Sequence, residues 1–121
     1  MRGEGYLTKP SQYALVYEKG SSWVSSLVVM RALPNGLTYS RYGFSVSKRL
    51  GKAVRRNRVK RLLREILRLT PVRKGWDMVF IARPAAADAD YASLDKAIEG
   101  LLSQAELLLT RKDEKVCLNT D

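Results

Sequence analysis

A strongly basic segment near the middle of the chain, residues 51–68, also carries apolar residues at helical spacing. On a helical wheel at about 100° per residue, four aliphatic side chains share one side: Val59, Leu62, Leu63 and Ile66. The other side carries polar and cationic residues: Asn57, Lys60, Arg61, Arg64 and Arg68. Such a helix suffers repulsion between like charges three and four residues apart, offset only by Glu65, which is placed to pair with Arg61 or Arg68. The pattern predicts a helix that docks by one side and displays the other.

Most of the net charge of the chain lies in this region. The 121 residues carry 22 Lys and Arg against 12 Asp and Glu, a formal net charge of +10. Between Lys48 and Arg68, ten basic residues and one acid give a local charge of +9. A solvated helix face would not require the bias towards arginine, whose planar guanidinium binds phosphate bidentately. A membrane surface would favour Trp or Phe on the opposite side. The charge pattern therefore predicts a nucleic-acid partner.

Length and residue types restrict the other possibilities. We expect one domain, residues 1–110, followed by a polar tail, 111–121. With no histidine and a single cysteine, Cys117, the chain lacks the usual zinc ligands and the residues for His or Cys/His catalysis. Its apolar runs are too short for a membrane span, and its first ten residues contain no apolar signal segment. We expect a cytoplasmic protein without membrane contact.

Residue patterns predict an α+β domain with one small sheet, in the order helix, two strands, basic helix, strand, helix. "PSQYALVYEKG" is typical of a short helix that ends at a glycine. "WVSSLVVMRAL" and "LTYSRYGFSVSKR" flank a Pro-Asn-Gly turn and predict a β-hairpin. "WDMVFIAR" is typical of a buried strand, and "YASLDKAIEGLLSQAELLL" of an amphipathic helix.

Two nearby carboxylates precede the last predicted helix. The Asp-x-Asp spacing of Asp88 and Asp90 could indicate ligands for magnesium. Acids at a helix N-terminus also complement the helix dipole, and we favour this second interpretation. A protein nuclease acting alone would need a larger acidic cluster or histidine.

The segment "GFSVSKRLGKAVRRNRVKRLLRE", residues 43–65, resembles the signature of the bacterial ribonuclease P protein subunit, which centres on an Arg-Asn-Arg core. "DMVFIARPAAA" and "PSQYALVYEKG" are also similar to the family at the expected spacing. The resemblance implies an accessory subunit of a ribonucleoprotein endonuclease that removes the 5′ leader of precursor tRNA. The catalytic centre and its magnesium ions would belong to the RNA, and the protein would be monomeric outside the holoenzyme. The alternative is a ribosomal or other structural RNA-binding protein.

The resemblance also implies two binding surfaces and no catalytic or metal-ligating residue in the protein. The first surface would face the catalytic RNA, and we add Arg68 to it because of its place on the helical wheel. Its residues are Lys48, Arg49, Lys52, Arg56, Asn57, Arg58, Lys60, Arg61, Arg64 and Arg68. The second would be a cleft between the first helix and the sheet that takes the leader, lined by Tyr13, Tyr17 and Met30. Aromatic residues at helical spacing, such as these tyrosines, are otherwise more often part of a core.

The family further implies that the basic helix joins two parallel strands through a left-handed crossover. About 98% of such connections are right-handed, so the residue pattern alone would predict the opposite hand.

A DNA-binding regulator is a weaker interpretation, because its recognition helix usually follows another helix rather than a strand.

Overall fold

Three helices and four strands account for most of residues 5–109, the part of the chain that the computed structural model describes. In chain order they are α1 (Pro10–Lys19), β1 (Ser21–Val24), β2 (Val28–Pro34), β3 (Arg41–Ser45), α2 (Ala53–Leu69), β4 (Trp76–Ala82) and α3 (Tyr91–Gln104). Short 3-10 turns lie at Lys48–Leu50 and Pro84–Asp88. The predicted α+β class with one small mixed sheet is confirmed. The predicted tail, 111–121, lies outside the described residues.

The sheet has the strand order β1-β2-β4-β3. Strand β2 is antiparallel to both β1 and β4, whereas β3 is parallel to β4. The predicted hairpin between β2 and β3 is therefore wrong, because β4 lies between these two strands. Asn35 of the Pro-Asn-Gly turn instead joins the start of β4: its backbone N–H donates to the Gly75 carbonyl at 2.8 Å and its Nδ2 to Asp77 at 2.8 Å.

The segment that we expected to form the first strand is itself a hairpin. It turns at Ser25, whose Oγ donates to the Val28 carbonyl at 2.8 Å and accepts from the Val28 N–H at 3.0 Å. Strands β1 and β2 then pair from Val24 with Val29 to Ser21 with Ala32. From residue 5 to the start of the basic helix there are therefore three strands, where the sequence predicted two.

The sheet is covered by apolar side chains on both faces. On one face, Met30 and Phe80 pack with residues of α2 and α3 in the main core. On the other face, a smaller cluster forms beneath α1, where Val16 packs on Val79. Each large side chain that is fully buried in this way contributes about 1.5–3 kcal/mol to stability.

Helix α2 docks on the main core through its aliphatic side. Val59, Leu63 and Ile66 have no exposed surface, and Leu62 is half-buried against the same core. This arrangement confirms the predicted apolar side of the helix. The C-cap residue of the helix is Thr70, whose hydroxyl donates to the Ile66 carbonyl at 2.6 Å.

Helix α2 also joins two parallel strands. It follows β3 in the chain and precedes β4, which pairs with β3 from Arg41 with Asp77 to Ser45 with Ile81. The left-handed crossover implied by the family resemblance stays a prediction. Within residues 5–109, no helix is both long and apolar enough to cross a membrane.

Candidate nucleic-acid interface

The side of α2 that faces away from the core displays the predicted cationic residues to solvent. Arg61 and Arg64 are exposed, and Lys60 is half-buried. Within residues 5–109, these three side chains take part in no hydrogen bond or ion pair. Their charges are therefore available to an anionic partner, and the predicted outward orientation of Arg61 and Arg64 is confirmed.

Three more predicted residues extend this surface beyond the start of α2. Lys48, Arg49 and Lys52 are all exposed. Gly51 lies between the first two of these residues and Lys52, and its φ of 116° is a conformation that residues with side chains rarely adopt. The first turn of α2 contains no acid and its N-terminus has no side-chain cap, so the positive end of the helix dipole adds to the local field. We call the following residues, all exposed except the half-buried Lys60, the cationic surface: Lys48, Arg49, Lys52, Asn57, Lys60, Arg61 and Arg64.

Arg58 and Arg55 attach the beginning of α2 to the 3-10 turn after β4. The guanidinium of Arg58, which is half-buried, donates to the Ala89 carbonyl at 2.9 Å and to the Ala87 carbonyl at 3.4 Å. Arg55 pairs with Asp88 at 2.9 Å, but both side chains are exposed, so this ion pair contributes little to stability. Part of the hydrogen-bonding capacity of Arg58, predicted to bind RNA, is therefore used within the protein.

Arg56 and Arg68, also predicted to bind RNA, have partners within the helix region. Arg56 Nε donates to the Gly51 carbonyl at 3.2 Å. Arg68 donates to both carboxylate oxygens of Glu65, at 2.6 and 3.2 Å, so the predicted Glu65 pairing is made with Arg68 rather than Arg61. This pairing lowers the pKa of Glu65 and raises that of Arg68. Both arginines keep N–H groups outside these bonds, and their RNA contacts stay predictions.

The two carboxylates of the Asp-x-Asp sequence are engaged separately. Asp90 caps α3, where it accepts from the Ser93 N–H at 2.9 Å, and this hydrogen bond lowers the pKa of Asp90. Asp88 instead pairs with Arg55. Across residues 5–109, no group of three or more His, Cys, Asp or Glu residues is gathered as a metal site would require. The helix-terminus interpretation is therefore confirmed for Asp90.

The second predicted surface lies beside α1. Tyr13 is half-buried, and its ring lies against Gly43 of β3, so closely that a Cβ added to Gly43 would come within 2.6 Å of it. Tyr17, one turn further along α1, is 40% exposed. The missing side chain at residue 43 therefore makes the space that Tyr13 occupies.

Arg31, on β2, holds the C-terminal end of α1 over the sheet. Its Nη2 donates to the Tyr17 carbonyl at 2.6 Å and to the Gly20 carbonyl at 3.1 Å. A cation at the carbonyl end of a helix also complements the helix dipole. We call this region, where the resemblance predicts the leader-binding cleft, the α1 cleft, and define it by Tyr13, Tyr17, Arg31 and Gly43.

Met30, predicted to line this cleft, does not reach it. Its side chain is completely buried in the main core, on the face of the sheet opposite α1. Side chains alternate between the two faces of a strand, so an assignment displaced by one residue places the side chain on the wrong side. Arg31, the next residue of β2, lies beside α1. The burial of Val28 and Met30 alternates with that of their less buried neighbours only in the structure. In the sequence, the available signal was the single cation, Arg31, between the apolar residues Met30 and Ala32.

Comparison with known proteins decides the family. A model of the family described as Ribonuclease P matches residues 1–106. The chain belongs to the ribonuclease P protein family. The ribonuclease P protein component of Dehalococcoides mccartyi strain CBDB1 is 45% identical over 121 residues, which is 100% of both chains. That of Caldanaerobacter subterraneus subsp. tengcongensis is 46% identical over 103 residues, 84% of this chain and 89% of the relative.

Solved structures of ribonuclease P proteins share the fold. The Staphylococcus aureus RNase P protein superposes with a TM-score of 0.80 at 30% identity, covering 86% of this chain and 97% of the other. The RNase P protein from Thermotoga maritima superposes with a TM-score of 0.73 at 32% identity, covering 82% and 96%. The resemblance found in residues 43–65 is thus confirmed for nearly the whole chain.

Proposed function

We propose that this chain is the protein subunit of ribonuclease P, which binds the catalytic RNA through the cationic surface and the 5′ leader of precursor tRNA through the α1 cleft. Membership of the family supports a role in tRNA 5′ processing. The observation that carries the proposal is the orientation of α2, whose aliphatic side is buried while Lys60, Arg61 and Arg64 face solvent without partners among residues 5–109.

A helix held in this way is suited to bind phosphates. Because its backbone is already ordered by the core, the conformational entropy that the protein loses on binding is confined to its side chains. This loss is up to about 2 kcal/mol for each side chain immobilised. Each phosphate neutralised by Lys or Arg releases condensed counterions, which favours binding. The same phosphates relieve the repulsion between Arg61 and Arg64, three residues apart on the helix.

We assign hydrolysis to the RNA and its magnesium ions. The carboxylates of residues 5–109 do not fit a dedicated magnesium site, since Asp88 and Asp90 have separate partners. The contribution of the protein is electrostatic: the cationic surface neutralises phosphates where the catalytic RNA and the substrate crowd together. Substrate binding should then become stronger, and the magnesium concentration needed for cleavage should fall.

The α1 cleft is suited to a leader of variable sequence. Tyr17 offers an exposed ring, and every base has a π-face, so stacking does not depend on base identity. Tyr13 lies one turn away on the same side of the helix.

Reconstitution with a bacterial ribonuclease P RNA and a precursor tRNA tests the proposal. At near-physiological salt, we expect the complex to cleave at a lower magnesium concentration than the RNA alone, and the protein alone to be inert. Equal magnesium requirements would contradict the electrostatic role. Robust cleavage by protein freed of RNA would overturn the assignment of catalysis to the RNA. A structural RNA-binding protein would bind its RNA equally well with or without the leader.

Changing Tyr17 to alanine should reduce the preference of the complex for precursor over mature tRNA. Loss of one stacked base, about 1–3 kcal/mol, corresponds to a loss of roughly 5- to 150-fold in that preference. Phenylalanine at this position should preserve the preference, because it keeps the ring. Binding of both tRNAs by each reconstituted complex measures the effect.

Leu15→Ala is the matched control, because Leu15 is 45% exposed and lies two residues away, on another side of α1. Affinity for the catalytic RNA should change little in either variant. A Tyr17→Ala complex with the wild-type preference would remove Tyr17 from the leader site.

A further inference from the structure

The edge of β3 that faces away from β4 carries an aromatic cluster that sequence reasoning did not identify. The chain before α1 runs along this edge, where the Leu7 N–H donates to the Tyr42 carbonyl at 2.8 Å and Tyr6 bridges to Tyr42. The centroids of the Tyr6 and Phe44 rings are 6.4 Å apart, and the ring planes are inclined at 53°. Phe44 stacks on Phe80 at 6.2 Å and 26°. Tyr6 therefore rests on rings that lead back to the main core.

Two cavities, each of about 340 Å³, open beside Tyr6, and both are also lined by Tyr42 and Arg64. One continues along the end of α2 to Arg68. The other, which we call the edge pocket, is lined by Tyr6, Leu7, Tyr13, Tyr42, Phe44, Lys60 and Arg64. Its volume lies at the lower end of the range for pockets that hold small molecules.

The edge pocket combines aromatic rings with two cations and has no carboxylate in its lining. Lys60 and Arg64 have no ionic partner among residues 5–109. Tyr42 is half-buried, and burial, followed by the nearby Tyr6, raises the pKa of Tyr42. Its hydroxyl, like that of any tyrosine at neutral pH, is protonated and can donate a hydrogen bond. A simple anion would use only the cations, and an apolar peptide only the rings. A nucleotide uses both.

Tyr6 is not needed to complete the core. It is 37% exposed and belongs to neither of the two buried clusters. An exposed aromatic ring beside unpaired cations is the arrangement with which proteins bind single-stranded nucleic acid, by stacking on the base and neutralising the phosphate.

We infer that the edge pocket binds one unpaired nucleotide of RNA, with its base against Tyr6 and its phosphate on Lys60 and Arg64. This inference rests on the proposed function and extends it to a third contact. The pocket shares Lys60 and Arg64 with the cationic surface and Tyr13 with the α1 cleft, so the nucleotide lies where these two surfaces meet. It belongs either to the catalytic RNA or to the leader, since both present unpaired nucleotides with the same chemistry.

The test compares Tyr6→Leu with the wild-type protein in the reconstituted complex. Leucine keeps apolar volume at the β3 edge but has no π-face, and thermal unfolding of each variant verifies the fold. We expect affinity to fall by roughly 5- to 150-fold, the range for one stacked base. A fall in affinity for the catalytic RNA would place its nucleotide in the pocket, and a fall confined to precursor tRNA would place the leader there. Tyr6→Phe should recover most of the lost affinity.

Tyr39→Leu is the matched control, since Tyr39 is 38% exposed and lies in the loop between β2 and β3, outside the linings of the described cavities. Unchanged affinities for both RNAs in a folded Tyr6→Leu variant would overturn the edge pocket as a nucleotide site. That result would leave the proposed function intact as long as the wild-type complex is active. A wild-type protein that fails to bind the catalytic RNA would contradict the proposed function itself.

Discussion

Replacing Asp77 with alanine is expected to lower the free energy of unfolding by up to about 3–5 kcal/mol, because it leaves a partly buried guanidinium without its counterion. Asp77 accepts from Arg41 Nε at 2.9 Å and from Arg41 Nη2 at 2.7 Å, and also from Asn35 at 2.8 Å. The side chains of Asp77 and Arg41 are only 5% and 19% exposed. Their hydrogen bond is the main reason that the pKa of Arg41 is raised.

For a domain of this size, such a loss corresponds to a fall in melting temperature of roughly 10–20 °C. Thermal or urea unfolding measures it. Asp88→Ala is the matched control, because Asp88 forms an ion pair of similar length with Arg55 but both partners are exposed. That variant should lose no more than about 1 kcal/mol. Equal losses in the two variants would show that burial does not set the strength of the Asp77 pair.

A double variant separates the lost pair from the stranded charge. Replacing Asp77 with leucine and Arg41 with methionine removes both charges and keeps apolar volume, so it should recover much of the stability lost in Asp77→Ala. If the double variant is as unstable as Asp77→Ala, the unpaired guanidinium is not the cause of the loss. The third partner, Asn35, would then be the next residue to change.

Reversing two charges on α2, with Arg61→Glu and Arg64→Glu, should produce the largest change in RNA binding. Each exposed arginine is expected to contact phosphate through charged hydrogen bonds, worth about 1.5–3 kcal/mol apiece. Losing both should weaken binding of the catalytic RNA by roughly 10²- to 10⁴-fold. The slope of log affinity against log salt should become shallower by about 1.5, since each lost contact removes 0.7–0.9. Filter binding across a range of salt concentrations measures both quantities.

The control for total charge is Lys74→Glu with Lys96→Glu. These two lysines are exposed and lie outside α2, in the loop before β4 and on α3. The control changes net charge by the same amount, so only long-range attraction should weaken, and more so at low salt. If both double variants lose affinity equally, binding depends on overall charge and the specific role of α2 is wrong. Melting curves of both should match the wild type, because all four side chains are exposed.

Features that depend on neighbours along the chain were predictable from the sequence. Spacing close to 3.6 residues placed Val59, Leu63 and Ile66 on one side of α2, and all three are fully buried. The opposite side, with Arg61 and Arg64, is exposed for the same reason. The family could also be recognised, because its signature is one continuous segment within residues 43–65.

Strand partners and strand faces were less predictable. Pairing of β2 with β4 depends on residues about fifty positions apart, and no local pattern specifies it. The break at Ser25 interrupts a segment rich in strand-forming residues, so the residue pattern predicts one strand where the structure has β1 and β2. The family resemblance implies Met30 for the α1 cleft, on the face that Arg31 occupies. The residue pattern does not correct this assignment, because apolar residues cover both faces of the sheet and their alternation is weak.

The sequence by itself determined which helix is cationic, which of its sides is buried and to which family the chain belongs, since these properties are carried by residues a few positions apart. Only the tertiary structure decided that Arg58 donates hydrogen bonds to backbone carbonyls after β4 and that Arg31 donates to the end of α1. It also decided that Tyr6 and Arg64 line one cavity beside β3. Each of these contacts joins distant segments, and their geometry depends on how the sheet is assembled rather than on local residue pattern.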